Sequence, residues 1–276
     1  RCATASNRPP TSCSTASTGE SGPVDVVARY CSQLPVAVIS DILGVPERDR
    51  QHILHFGGEL GAPSLDIGLS WQQYMQVHRG LVGFNNWLGE HLQQLRRNPP
   101  GDDLMSQLIQ ASQDSDEGAR LTERELQATA GLVLAAGFET TVNLLGNGIR
   151  MLLDTPPEHL QTLSSRPELW PTAVEEILRL DSPVQMSARI ARRDVEVAGT
   201  AVKRGELVII HLAGGANRDP KVFDDPHRFD IERENAGKHL SFSAGRHFCL
   251  GAALARAEGE VGGLRTFFER YPDARL

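Results

Sequence analysis

Apolar positions recur with helical spacing along the chain from Val24 onward. Val26, Val27, Tyr30, Cys31 and Leu34 follow the i, i+3, i+4, i+7 pattern of one amphipathic face. A second short helix fits Pro35 to Leu43, and Gly44-Val45-Pro46 ends the pair. Leu65 to Arg97 predicts a longer amphipathic helix with His, Gln and Arg on its wet face, stopped by Asn98-Pro99-Pro100-Gly101. A short helix over Asp102 to Ser112 and a polar loop over Gln113 to Arg120 follow. Thr122-Glu123-Arg124-Glu125 reads as a capping box, in which the first hydroxyl and the last carboxylate satisfy each other's backbone N–H groups. It opens a helix that runs to about Leu153, where Asp154-Thr155-Pro156-Pro157 stops it. At about 1.5 Å per residue its 32 residues span about 48 Å, the width of a whole domain.

Two further helices fit Pro157 to Ser165 and Glu168 to Leu180. Strand-like runs then occupy Gln185 to Ala191, Asp194 to Val197 and Leu207 to Leu212. Residues 214 to 247 are rich in Gly, Asn, Asp and Pro, an irregular segment long enough to suggest a functional loop. A last helix, Leu250 to Arg270, begins directly after Cys249. The predicted fold is mainly α with a small β portion.

Composition narrows the class. Of 276 residues, 40% are hydrophobic, enough for a sizeable core. The net charge of −7 argues against a general nucleic-acid binder, which needs a basic patch. Four scattered cysteines form no disulfide framework and fit a reducing compartment. The longest apolar stretch, Gly131 to Phe138, is stopped by Glu139, well short of the ~18 residues of a spanning helix. A soluble, cytoplasmic protein is expected. Residues 1 to 22 hold 11 Ser, Thr or Pro, a composition that predicts disorder.

The chemistry centres on Phe242-Ser243-Ala244-Gly245-Arg246-His247-Phe248-Cys249-Leu250-Gly251. A lone Cys before a helix is most often a buried, inert thiol. Here the helix N-terminus favours a thiolate, Gly251 lets backbone approach the sulfur, and Gly245 permits the turn that aims it. Thiolate is also an axial ligand of haem iron.

Phe242-x-x-Gly245-x-x-x-Cys249-x-Gly251 resembles the haem-ligand signature of the cytochrome P-450 superfamily at every fixed position. Three further matches follow in the family's order. Ala136-Gly137-Phe138-Glu139-Thr140-Thr141 resembles the oxygen-activating motif of the long helix. There Ala136 and Gly137 would form the oxygen groove, Thr140 would hydrogen-bond dioxygen and Glu139 would relay protons. The same residues also fit close helix packing with Thr140 bonded to its i−4 carbonyl. Glu176-x-x-Arg179 resembles the family's buried structural network, with Arg228 as the third member. Asn217-Arg218-Asp219-Pro220-x-x-Phe223, with Pro226 and Phe229-Asp230, resembles the meander of soluble bacterial members.

The resemblance implies the C-terminal two-thirds of the cytochrome P-450 fold, with the long central helix over haem b (iron protoporphyrin IX). Cys249 is then the iron ligand, and Arg189 and His247 are the propionate partners. Val184, Gln185, Met186, Ser187, Leu132 and Val133 would line the substrate side, although core packing accounts for them as well. The implied activity is insertion of one oxygen atom of O2 into a small apolar or amphipathic molecule. Electrons would come from a ferredoxin-type carrier near Arg246 and Arg256. The alternative is a non-catalytic truncated fragment, or a haem-binding protein without a complete pocket. The likeness covers Val24 to Leu276, so residues 23 to 276 are expected to form one domain lacking the family's N-terminal third. Residues 1 to 22 do not resemble what precedes it.

Overall fold

A computed structural model describes residues 23–55, 69–98, 101–114 and 121–276. The predicted disorder of residues 1–22, part of the Gln113 to Arg120 loop and the start of the Leu65 helix lie outside these. The chain divides into two compact units, residues 1–142 and 143–276.

In the first unit, a π turn over Val27–Cys31 leads into α1 (Gln33–Ile42), which buries Val36 and Ile39. A 3-10 turn (Glu47–Asp49) joins α2 (Arg50–His55). Helix α3 spans Trp71–Arg97 and opens on a capping box in which Ser70 and Gln73 bond reciprocally. It buries Val77, Phe84, Leu88 and Leu92, and its His91 Nε2 bonds the Leu43 carbonyl at 3.0 Å. Helix α4 (Leu104–Asp114) follows.

Helix α5 spans Glu123–Asp154, and the predicted capping box is in place: Thr122 N–H donates to Glu125 Oε2 at 2.9 Å and Glu125 N–H to Thr122 Oγ1 at 3.2 Å. Leu126, Ala130, Leu134, Phe138, Val142, Leu145, Ile149 and Leu152 form one buried stripe along it. Among the described residues it is the one helix long and apolar enough to cross a membrane by length and composition. Of its most apolar window, 39% is buried within this chain. In the first unit a Cβ on Gly131 would meet Leu88 at 3.6 Å, and one on Gly137 would meet Ile39 at 2.9 Å.

In the second unit, α6 (Pro157–Ser165) and α7 (Trp170–Leu180) flank a 3-10 turn at Pro167–Leu169. Strand β1 (Met186–Ile190) pairs antiparallel with β4 (Leu207–His211), Met186 opposite His211 and Ile190 opposite Leu207. Between them β2 (Val195–Val197) and β3 (Thr200–Val202) form a hairpin. Its two-residue turn, Ala198-Gly199, has positive φ at both positions, the backbone twist that fits a tight hairpin. The sequence reading omitted β3, whose three residues are too few to show alternation.

The last helix is not the single α-helix expected. It comprises α8 (Ala252–Ala257), a π segment over Glu258–Arg265 and α9 (Thr266–Arg270). The widened turn carries Gly259 and Gly263 against its neighbours. A Cβ on Gly259 would stand 3.1 Å from Leu144 and 3.2 Å from Val174, and one on Gly263 would stand only 2.2 Å from Leu145. The Gly263 position also lies 2.8 Å from the Glu258 carbonyl, which cannot swing aside as a side chain can. Gly263→Ala should therefore lower unfolding stability by about 1–3 kcal/mol. Denaturant titration with an unchanged m-value would check this.

Candidate functional site

The site in the second unit is built on α7. Its Glu176 and Arg179, three residues apart, are both fully buried. Arg179 donates through Nε and Nη2 to the two oxygens of Glu176, each at 2.7 Å. Its remaining donors reach the carbonyls of Asn217 at 2.9 Å, Pro226 at 2.7 Å and Arg228 at 3.1 Å. All five guanidinium N–H groups are thus used. The guanidinium also lies 4.9 Å from the Phe223 ring centroid.

The sequence reading assigned the third place in this network to Arg228. That assignment is corrected: Arg228 contributes its backbone carbonyl, while its exposed side chain pairs with Asp230 at 2.6 Å and Asp225 at 3.8 Å. Arg233 takes the place. Its Nε donates to Glu176 Oε1 at 3.0 Å, Nη1 to the Asp224 carbonyl at 2.6 Å, and Nη2 to the Asp225 and Arg228 carbonyls. The sequence carried no discriminating signal, since Arg228 stands near Asp225 and Asp230 and Arg233 lies directly between Glu232 and Glu234. Arg233→Met should cost about 2–4 kcal/mol, because three carbonyls and a carboxylate lose a donor in the interior. Arg228→Ala should change stability by less than about 0.5 kcal/mol. Comparing the two unfolding curves checks the correction.

The network reaches the Cys segment through Asn217. Its side-chain oxygen accepts from Leu240 N–H at 2.8 Å, and its amide donates to Ser241 Oγ at 2.9 Å. Ser241 Oγ in turn donates to the Leu178 carbonyl at 2.7 Å. Phe242 is buried, Ser243 and Gly245 take positive φ, and Gly245–His247 form a 3-10 turn. Cys249 N–H then donates to the Phe242 carbonyl at 2.9 Å. This closes a loop whose thiol is exposed, with exposed Phe248 and Leu250 on either side of it in the chain. Leu250 is 96% exposed. A Cβ on Gly251 would lie 3.9 Å from the sulfur, and one on Gly245 would meet nothing within 4 Å.

A soft thiolate donor among uncovered apolar side chains suits iron in a flat apolar ring system, so the residues present fit a haem. His247 and Arg189 are both exposed. Arg189 lies on β1, its Nη1 donating to Ser187 Oγ and to the Ala188 carbonyl, each at 2.8 Å.

Sequence reasoning missed two residues that hold this loop, Glu175 on α7 and His239. Glu175 accepts from His239 Nε2 at 2.9 Å and is gripped by Arg256 through Nε and, at 3.1 Å, Nη2. Burial alone would raise the Glu175 pKa, yet the bonds from His239 and Arg256 outweigh it and hold the carboxyl near 2. Ser241 N–H donates to His239 Nδ1 at 3.1 Å, which puts the imidazole proton on Nε2, facing Glu175. Arg256 also lies 4.6 Å over the Phe242 ring. The sequence reading offers Arg256, with Arg246, as positive charge near a docking carrier; in the structure its guanidinium is bonded to Glu175.

The first unit holds Ala136, Gly137, Glu139 and Thr140 on α5. Glu139 is half-buried, and desolvation raises its pKa. Thr140 Oγ1 donates to the Ala136 carbonyl at 2.7 Å, the i−4 bond that a packed helix also allows. Ile39 fills the space that a Cβ on Gly137 would take.

Comparison with known proteins agrees with the likeness in the motifs. The Cytochrome P450 family model matches residues 71–271. A Mycobacterium tuberculosis protein described as "Putative cytochrome P450 140" is 72% identical over 92% of this chain and 57% of its own length. The 6-deoxyerythronolide B hydroxylase of Saccharopolyspora erythraea is 44% identical over 94% of this chain and 61% of its length. The crystal structure of P450BioI in complex with an acyl carrier protein ligated to hexadec-9Z-enoic acid superposes with TM-score 0.83 at 37% identity. That match covers 92% of this chain and 63% of the other. The chain thus spans about three-fifths of the length of the relatives it matches.

Proposed function

This chain belongs to the cytochrome P450 family, whose members bind haem b, and from that membership we propose that it carries the thiolate centre of a monooxygenase. The observation that carries the reading is Cys249: an exposed thiol held by a backbone bond to Phe242, in a loop whose apolar side chains are uncovered. The reaction takes two electrons, two protons and O2, inserts one oxygen atom into an organic molecule and releases the other as water. Haem, when bound, supplies the iron at which dioxygen is reduced.

The chain's own residues divide the remaining work. Cys249 donates its sulfur to the metal, and the Phe242 carbonyl fixes the backbone behind it. Arg189 and His247 offer exposed nitrogen donors to the two propionates. Glu139 holds a proton at its carboxyl more readily than a solvated glutamate, the property a proton donor near neutrality needs. Thr140 spends its hydroxyl proton on the Ala136 carbonyl, which leaves its lone pairs free to accept from water or a protonated partner.

Exposed Val184 and Met186 in the second unit, and exposed Leu132 in the first, each offer apolar surface, which favours an apolar or amphipathic small molecule as substrate. The relative named for 6-deoxyerythronolide B and the one crystallised with a carrier protein bearing hexadec-9Z-enoic acid support that class. A ferredoxin-type carrier in the cytoplasm is the proposed electron donor. Exposed Arg246 provides local positive charge for it, whereas Arg256 is already paired.

The reduced, carbon-monoxide-treated protein, expressed with haem supply, should show the strongly red-shifted band of a thiolate-ligated haem. Cys249→Ser should abolish that band; its persistence would remove Cys249 as the ligand. In the active enzyme Thr140→Ala should continue to consume electrons while yielding several-fold less product. Glu139→Gln should lower product yield yet leave thermal stability equal or higher at pH 7, because it removes a desolvated charge. Product yields equal to the parent would exclude both residues from the reaction.

A further inference from the structure

The adjacent acids of α7 serve different neighbours, and only Glu176 belongs to the Arg179 network. Glu175 binds one residue on each side of the ligand: His239, ten positions before Cys249, and Arg256, seven positions after it. Both contacts converge on Phe242, whose ring lies 5.7 Å from His239 and 4.6 Å from the Arg256 guanidinium. The carbonyl of that same Phe242 accepts the Cys249 N–H bond. One carboxylate thus closes the ligand loop at both ends and sets a guanidinium on the residue that anchors the cysteine.

We propose that Glu175 and Arg256 are positioning residues for the Cys249 ligand, Glu175 clamping the loop closed and Arg256 setting the positive charge behind it. This rests on the haem-thiolate reading above. The clamp is compact: Glu175 is 15% exposed and His239 only 1% at the side chain, so little water competes for their bond. Arg256 is partly exposed, but two bonds to Glu175 and the face of Phe242 fix its orientation. A fixed cation near a metal-bound thiolate favours the reduced, more negative centre. The clamp therefore influences the ligand in two separable ways, through loop order and through charge.

Two measurements separate them. In the haem-free chain, amide hydrogen exchange reads the loop directly. Glu175→Gln should speed exchange at Cys249 and Phe248 at least tenfold while Ile177 and Leu152 exchange as in the parent. Arg256→Lys, which keeps the charge but loses the fork, should give an intermediate acceleration. In the haem-loaded protein, Arg256→Gln should shift the reduction equilibrium about tenfold toward the oxidised form, which is about 59 mV for one electron. Arg256→Lys should restore most of that shift, an effect that loop order alone would not produce. Unchanged exchange at Cys249 in both variants overturns the clamp, and an unchanged potential in Arg256→Gln overturns the charge role. A parent chain that takes up no haem would defeat the functional reading, while the exchange experiment would still decide the clamp.

Discussion

Much of the second unit depends on one buried carboxylate shared by two guanidinium groups. Glu176 has no exposed side-chain surface, and burying it alone would cost several kcal/mol. Arg179 and Arg233 remove that cost but leave an excess positive charge inside the protein. The carbonyls of Asn217, Asp224, Asp225, Pro226 and Arg228 meet that excess. Backbone carbonyls can do so only if their segment bends around the two side chains. The segment between β4 and Cys249 is irregular in secondary structure, yet its path is fixed, because the guanidinium donors replace the hydrogen bonds that a helix or sheet would supply.

That constraint passes along the chain. Asn217 gives its carbonyl to Arg179 and its side chain to Leu240 and Ser241, so the position of the network sets the position of the residues just before Phe242. Phe242 then holds the Cys249 N–H. The link from Glu176 to the thiol is a sequence of polar contacts that each leave little freedom. Helix α7 can serve as its base because it is buried almost all round: Trp170, Ala173, Val174, Ile177 and Leu178 pack on the faces that its charged residues do not use. Apolar burial supplies rigidity, and the charged pairs give direction.

The legible and illegible parts of this design differ in kind. Long regular elements carry their signals locally, which is why the Thr122-Glu125 cap, the ends of α5 and the strands β1 and β4 could be read from the chain. The Cys249 loop was legible because its glycines and aromatic occupy fixed offsets. Pairings made at a distance were not. The choice between Arg228 and Arg233 depends on which guanidinium the folded segment turns inward, and neither periodicity nor composition encodes it. Glu175 escaped notice for the same reason: beside Glu176 it looks like one more acid on a helix, and its partners lie 64 and 81 residues away. The π segment after α8 is not legible either: its Gly259 and Gly263 pack closely against α5 and α7, contacts that no local pattern of the chain carries.

Some of the places where the chain departs from what stability alone would choose fall at or beside residues proposed for the chemistry. Glu139, next to the buried Phe138 on α5, carries a carboxylate that its surroundings partly desolvate, where an apolar residue would stand without that cost. Leu250, adjacent to the cysteine, exposes nearly its whole side chain. Phe248 and, on α5, Leu132 are likewise left largely uncovered. A sequence optimised only to bury surface would not keep an acid in one place and bare apolar groups in another. The bare apolar groups beside Cys249 suit a non-protein group that brings apolar surface of its own. The buried ion network is what makes such exposure tolerable, because it fixes the ligand loop without drawing on the apolar side chains that the loop leaves open.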